Sequence, residues 1–151
     1  MKNKKIIIID DESLIPSLIK ELIEGECPEF EISEITTDKD RFLDLVSKNH
    51  FDAALIDISI GEREGGIDLL RTLREQGFKL PVIMLSAHDE ITYAAKCLAL
   101  GAAGYVNKVN ICTDLPGGLK KVFQGELFVS GSEGEHILKK YRETNNDSIL
   151  K

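Results

Sequence analysis

Short apolar runs alternate along the chain with longer segments of helical periodicity. The first run ends in IIIIDDES, so that four isoleucines lead directly into three acidic side chains. The later runs are equally short and are bounded by polar or turn-forming residues. Continuous apolar runs of this length are typical of strands buried on both faces of a parallel sheet. The predicted strands are Lys5–Ile9, Phe30–Thr36, Ala53–Asp57, Pro81–Leu85 (ending at Ser86) and Ala103–Val106.

The segments between these runs repeat apolar residues at intervals of three and four, which predicts helices. The predicted helices are Ser13–Gly25, Asp38–Lys48, Gly66–Gln76, Asp89–Leu100 and Thr113–Gln124. Strict alternation of strand and helix indicates an α/β fold, a doubly wound parallel sheet with right-handed crossovers. If the strand order is 2-1-3-4-5, strands 1 and 3 are neighbours. In such sheets, ligands bind beyond the carboxyl ends of the strands.

Side chains of complementary chemistry stand at the ends of the predicted strands. They are Asp10 and Asp11 after the first strand, Asp57 at the end of the third, Ser86 after the fourth and Lys108 after the fifth. Two carboxylates about 4 Å apart repel by roughly 4 kcal/mol at an effective dielectric of 20. A hard divalent cation is their natural partner. With a lysine and a hydroxyl nearby, the set suits a phosphoryl group that a carboxylate attacks in line.

Composition narrows the function classes. A chain of 151 residues with 42% hydrophobic and 30% charged residues suits one globular domain. No apolar run approaches the ~18 residues that a membrane span needs, so no membrane partner is expected. The net charge of −7 argues against nucleic-acid binding by this segment. The three cysteines have no metal-ligand or disulfide spacing, which favours a cytoplasmic location.

The strand-end residues resemble the signature of bacterial response-regulator receiver domains. The resemblance covers about residues 4–125, and it implies a flavodoxin-like (βα)5 fold with strand order 2-1-3-4-5. The features that carry it are the pair Asp10-Asp11, the lone Asp57, Ser86-Ala87, and Lys108 in GAAGYVNK. Most members have a proline after the lysine, whereas Val109 follows it here. The segment GYVNKV is closest to the subfamily with a LuxR-type (NarL/FixJ-like) helix-turn-helix output.

The resemblance implies a phosphoacceptor and a metal site. Asp57 would accept a phosphoryl group from a sensor histidine kinase. Mg²⁺, or Mn²⁺ in its place, would be bound directly by Asp11, mainly through water by Asp10, and also by Asp57 and the main-chain carbonyl of Ser59. The protein would be a switch that is phosphorylated and dephosphorylated, not a turnover enzyme.

The resemblance also implies a switch mechanism. Ser86 would hydrogen-bond the incoming phosphoryl oxygen, and Lys108 would pair with it. Tyr105 is similar to the family's switch aromatic, which turns inward as the hydroxyl residue moves. Ser59 and His88 occupy the positions that set the lifetime of the aspartyl phosphate in the family.

The segment after the receiver is expected to be a linker or tail. The expected division is residues 1–125 as receiver and 126–151 as tail, with Ile137, Leu138 and Tyr141 on one face of a short helix. This tail is too short for a helix-turn-helix domain. We expect a receiver segment of a longer transcription factor, with a stand-alone receiver acting through protein contacts as the alternative. Homodimer formation on phosphorylation stays open.

Several other interpretations of the same residues remain open on sequence grounds. Asp11 or Ser13 could cap the first helix, and Ser86 the fourth. Tyr105 could serve packing alone. The domain could be a scaffold that works without phosphorylation. It could also be a Mg²⁺-dependent phosphohydrolase, although such enzymes usually carry a second acid where Ser59 stands.

Overall fold

A six-stranded parallel sheet forms the centre of the protein. The computed structural model describes residues 3–87, 91–131 and 134–150, with the backbone alone at 91–92 and 145–150. The sheet has the order β2-β1-β3-β4-β5-β6. The predicted order 2-1-3-4-5 is therefore confirmed, and a further strand extends the edge beside β5. The strands are β1 (Lys4–Ile9), β2 (Phe30–Thr36), β3 (Ala53–Asp57), β4 (Val82–Ser86), β5 (Gly104–Asn107) and β6 (Phe128–Val129).

Helices cover both faces of the sheet. They are α1 (Leu14–Glu26), α2 (Lys39–Lys48), α3 (Gly65–Glu75), α4 (Ile91–Ala99), α5 (Ile111–Phe123) and α6 (Gly134–Leu150). Apolar residues of α1 and α5 pack on one face, whereas those of α2, α3, α4 and α6 pack on the other. The start predicted for the fourth helix, Asp89, lies outside the described residues.

The isoleucines of β1 are buried on both faces of the sheet. Side chains alternate along a strand, so Ile7 and Ile9 enter one core cluster while Ile6 and Ile8 enter the other. All four have no exposed surface. After this strand the chain returns to the surface at Asp11, whereas Asp10 is still buried.

Helix α5 begins earlier than its apolar periodicity predicts. A 3₁₀ turn at Lys108–Asn110 follows β5 directly, and α5 starts at Ile111 instead of Thr113. The cause is local, because the Asn107 side-chain oxygen accepts a hydrogen bond from the Val109 N–H at 2.9 Å. Asn107 thereby starts the turn immediately after the strand. Lys108 is consequently held at the junction between β5 and this turn.

The tail continues the fold as β6 and α6. Strand β6 pairs in parallel with β5, and Tyr105 lies opposite Val129. The predicted tail helix is confirmed and is longer than expected. Ile137 and Leu138 are buried in the core cluster on the side of the sheet that α4 covers. The Tyr141 hydroxyl donates a hydrogen bond to the Leu98 carbonyl of α4 at 3.2 Å.

Gly66 allows α3 to pack directly on the end of β3. A Cβ atom on Gly66 would lie 1.9 Å from the Asp57 carbonyl oxygen. The Gly66 N–H donates to the Ile58 carbonyl at 2.7 Å, so helix and strand end are joined at this point. By contrast, a Cβ on Gly117 of α5 would meet no atom within 4 Å.

We predict opposite effects for alanine at these two helical glycines. Gly66→Ala should destabilise the protein by about 3 kcal/mol, because the methyl group must displace backbone. Gly117→Ala should stabilise it by up to about 1 kcal/mol, since alanine has the higher helix propensity and the position is open. Urea unfolding followed by circular dichroism measures both changes. Equal effects of the two substitutions would contradict the packing at Gly66.

The docking of α6 can be tested at neighbouring residues. Leu138→Ala should reduce the free energy of unfolding by about 2–4 kcal/mol, because Leu138 is buried. Lys139→Ala, the matched control at an exposed position of the same helix, should change it by less than about 0.5 kcal/mol. The same urea titration serves for both variants. If α6 were not docked on the domain, the two substitutions would change the free energy of unfolding by similar amounts.

Candidate functional site

Three carboxylates meet at the carboxyl edge of the sheet. One oxygen each of Asp10, Asp11 and Asp57 lies within 4.8 Å of the others, and among the described residues this is the one such acidic group. The cause is the pairing of β1 with β3, in which Ile9 lies opposite Ile56. The residues that follow these two positions therefore emerge side by side.

Asp10 is fully buried and is engaged through both oxygens. Its Oδ1 accepts a hydrogen bond from the Glu12 N–H at 2.9 Å. Its Oδ2 lies 3.0 Å from Lys108 Nζ as an ion pair, but accepts no hydrogen bond of regular geometry from the described residues. A buried carboxylate oxygen of this kind has capacity for a further electropositive partner.

Asp11 is exposed and faces the loop after β3. Its Oδ2 accepts a hydrogen bond from the Gly61 N–H at 3.3 Å. Gly61 has a φ of +69°, which favours glycine and turns the loop toward Asp11. Ser13, at the N-terminal boundary of α1, makes no side-chain capping hydrogen bond. Asp11 thus links two loops.

Asp57 ends β3 with 2% of its surface exposed. Its Oδ1 accepts hydrogen bonds from the Ser59 N–H at 3.2 Å and the Ser59 hydroxyl at 3.3 Å. Burial raises the pKa of Asp57 above its ordinary value; Lys108 opposes this rise, and the charge of Asp10 adds to it. A bound divalent cation would favour the ionised carboxylate.

Lys108 bridges the two buried carboxylates. Its Nζ lies 3.0 Å from Asp10 Oδ2 and 3.3 Å from Asp57 Oδ2. Burial alone would lower the pKa of Lys108, but the contacts with Asp10 and Asp57 raise it above its ordinary value. The side chain is therefore an ammonium at neutral pH. One positive charge faces three carboxylates, so the cluster keeps an excess of negative charge.

A pocket of about 300 Å³ opens beside Asp57. Ser59 and Ser86 contribute aliphatic hydroxyl groups, while Arg63 and Tyr93 form further parts of its wall. Sequence reasoning did not identify Arg63. It lies within the loop ISIGEREGG, and no periodicity or strand end marks it.

The two predicted switch residues are both buried. Ser86, with 3% exposure, lies opposite Asn107 in the pairing of β4 with β5 and lines the pocket. Tyr105, with 4% exposure, lies within β5 and packs in the core cluster on the α4 side. The structure brings Ser86 to Asp57 but places Tyr105 inside the core. His88 lies outside the described residues.

The residues at this edge fit a magnesium ion. Mg²⁺ prefers oxygen ligands, takes one or two carboxylates, and retains several waters. The cluster offers three carboxylates within reach of one another and a buried Asp10 oxygen without a regular hydrogen bond. Asp11 would be the most accessible direct ligand, because it is the exposed member of the group.

Comparison with known proteins identifies the family of this chain. Residues 6–116 match the family model described as "Response regulator receiver domain". The chain belongs to this receiver domain family. Receiver domains are modules of two-component signalling, in which their partners are histidine kinases. The predicted fold class, a flavodoxin-like parallel α/β sheet, is confirmed as well.

Individual relatives agree with this assignment. The receiver is 31% identical over 143 residues to the transcriptional regulatory protein DegU of Brevibacillus brevis, covering 95% of this chain and 60% of DegU. The chain thus spans less than two thirds of that relative's length. The isolated REC domain of RcsB from Salmonella enterica, in its apo form, has a TM-score of 0.79 at 23% identity, covering 91% of this chain and 99% of that one.

A LuxR-family two-component response regulator from Aurantimonas has the same TM-score of 0.79 at 21% identity, covering 95% of this chain and 99% of that one. The predicted likeness to LuxR-type receiver domains is therefore confirmed. Within the part of the receiver that the structure describes, every helix is too short or too polar to cross a membrane.

We predict that the two neighbouring aspartates contribute unequally to Mg²⁺ binding. Asp11→Asn should raise the Mg²⁺ dissociation constant more than Asp10→Asn, because Asp11 is exposed while both oxygens of Asp10 already have short contacts. Titration calorimetry with MgCl₂ measures both constants. A greater loss of affinity in Asp10→Asn would reverse this order.

Proposed function

We propose that the receiver accepts a phosphoryl group on Asp57 in a Mg²⁺-dependent reaction with a sensor histidine kinase. The observation that carries the proposal is the buried Asp57 carboxylate, which shares one sheet edge with Lys108, two further carboxylates and a pocket lined by Ser86. Membership of the receiver family supports the choice of donor. The conformational change that follows controls an output.

The proposed transfer is an exchange of bonds at phosphorus. An oxygen of Asp57 forms the new O–P bond while the P–N bond to the phosphohistidine of the kinase breaks. The electron pair of that bond stays on the imidazole nitrogen. The Lys108 ammonium and the Ser86 hydroxyl stabilise charge on the phosphoryl oxygens. Asp10, Asp11, Asp57 and the main-chain carbonyl of Ser59 would hold Mg²⁺, which would supply electrostatic stabilisation of the same charge.

Exposed apolar side chains beside the site support docking of a kinase. Leu14, at the start of α1, is 76% exposed, and Val109, next to Lys108, is 84% exposed. Leu18 lies one turn further along α1 with 40% exposure. Apolar residues exposed around a polar site are typical of protein-binding surfaces.

Phosphorylation provides the force for switching. The new group adds a charge of about −1.5 to −2 next to Ser86, the last residue of β4, and α4 is the next helix along the chain. Lys96 of α4 forms an ion pair at 2.9 Å with Glu64 in the loop after β3. Helix α4 also packs against α6. We propose that Ser86 and Tyr105 change position together, so that the α4 surface reports the phosphorylated state.

The proposed output is transcriptional regulation through a DNA-binding domain. DegU is named a transcriptional regulatory protein, and the Aurantimonas structure belongs to a LuxR-family regulator. In this proposal residues 1–125 are the receiver, and residues 126–151, although they pack on it through β6 and α6, lead to the output domain. The receiver is a switch modified once per signalling cycle, and homodimer formation is a further proposed consequence of phosphorylation.

We predict that phosphorylation requires Asp57 and a divalent cation. Wild-type protein incubated with MgCl₂ and phosphoramidate should gain one phosphoryl group, detected by intact mass spectrometry. Asp57→Asn should gain none, and EDTA should abolish the gain in wild type. Asp44→Asn, at an exposed carboxylate of α2, is the matched control and should behave like wild type.

Persistent labelling of Asp57→Asn, or an unlabelled wild type, would contradict the proposed phosphoacceptor. Continuous release of phosphate from a phosphoester substrate would instead indicate a phosphohydrolase.

A further inference from the structure

The wall of the pocket beside Asp57 includes a positively charged side chain that has no part in the predicted roles. Lys108 and the carboxylates Asp10 and Asp11 are not among the residues that line this pocket. Its described lining residues include one formal positive charge, Arg63. A group attached to Asp57 that extends into this space would therefore meet Arg63 as a second positive charge, in addition to Lys108, which contacts Asp57 directly.

The guanidinium of Arg63 has no partner among the described residues. Among the described residues it makes no ion pair and no side-chain hydrogen bond, although glutamates stand on both sides of it in sequence. Glu64 instead pairs with Lys96 of α4 at 2.9 Å. The five N–H donors of Arg63 are thus available to an anion.

The loop that carries Arg63 is held at both ends. On one side the Gly61 N–H donates to Asp11 Oδ2 at 3.3 Å. On the other side the Gly65 N–H donates to the Glu62 carbonyl at 3.1 Å, and Gly66 is packed on Asp57. Arg63 is consequently presented from an ordered backbone to the pocket, while its side chain stays exposed enough to meet an incoming molecule.

We propose that Arg63 is an additional binding residue for the phosphoryl group, and that it recognises the small anionic phosphodonor and the phosphoryl oxygens on Asp57 from the wall of this pocket. This inference rests on the proposed phosphorylation of Asp57. Guanidinium suits the role because its planar fork matches phosphate oxygens and keeps its charge at every physiological pH. Arg63 acts on binding, whereas Lys108, Ser86 and the metal site act at the reacting atoms.

The test is the dependence of the initial phosphorylation rate on phosphoramidate concentration, with MgCl₂ saturating. Arg63→Ala should raise the half-saturating phosphoramidate concentration by about two- to fivefold, the effect expected of one exposed charge pair. The maximal rate should change less. Arg63→Lys should restore part of the loss and Arg63→Glu should exceed it. Raising NaCl to about 1 M should reduce the difference between wild type and Arg63→Ala, because salt screens exposed charges.

Binding of beryllofluoride, a stable analogue of the phosphoryl group, gives a readout without turnover. Its affinity, measured by NMR titration of the ¹⁵N-labelled protein, should fall in the same order of variants. Arg142→Ala is the matched control, because it removes one exposed positive charge from α6, which does not line the pocket. Its kinetics and its beryllofluoride affinity should equal those of wild type.

Two results would overturn the inference in distinguishable ways. If wild type is phosphorylated and both Arg63→Ala and Arg63→Glu match Arg142→Ala, Arg63 has no part in binding, and the proposed function stands. If wild type is not phosphorylated at all, the proposed function and this inference fall together.

Discussion

Repulsion among the carboxylates of Asp10, Asp11 and Asp57 is the constraint on which the site depends. Each close pair at about 4 Å costs roughly 4 kcal/mol at an effective dielectric of 20. The fold tolerates this because each buried isoleucine of β1 stabilises it by about 1.5–3 kcal/mol, and because Lys108 offsets one charge. The strands cannot separate to relieve the repulsion without exposing the core. The excess negative charge therefore remains available to a cation.

Close backbone packing fixes where these charges point. Gly66 lets α3 rest on the Asp57 carbonyl, and Gly61 turns the intervening loop back to Asp11. The loop after β3 is thereby bonded to the loop after β1 and forms one wall of the Asp57 pocket. The hydrogen bond between these two loops holds this wall, whereas apolar packing holds the strands beneath it.

The tail contacts two elements, the end of β5 and helix α4. The Ser130 hydroxyl, just after β6, accepts a hydrogen bond from the Asn107 N–H at 2.8 Å, immediately before Lys108. Further along, Tyr141 of α6 bonds to Leu98 of α4. The tail is accordingly packed as an integral part of the domain and is not an extended segment that leads away from it. Any rearrangement of α4 must also displace or carry α6.

The amino-acid sequence by itself determined the order of the first five strands and their helices and the identity of the residues at the sheet's carboxyl edge. Asp10, Asp57, Ser86 and Lys108 stand where apolar runs stop, and that signal is local. Tertiary structure alone decided the rest. Strand β6 has two residues, too few for any periodicity, and exists because β5 offers it an edge. Arg63 reaches the pocket because a hydrogen bond from Gly61 to Asp11, 50 residues away in the chain, shapes its loop. Contacts between residues so distant in the chain leave no local pattern from which they could be predicted.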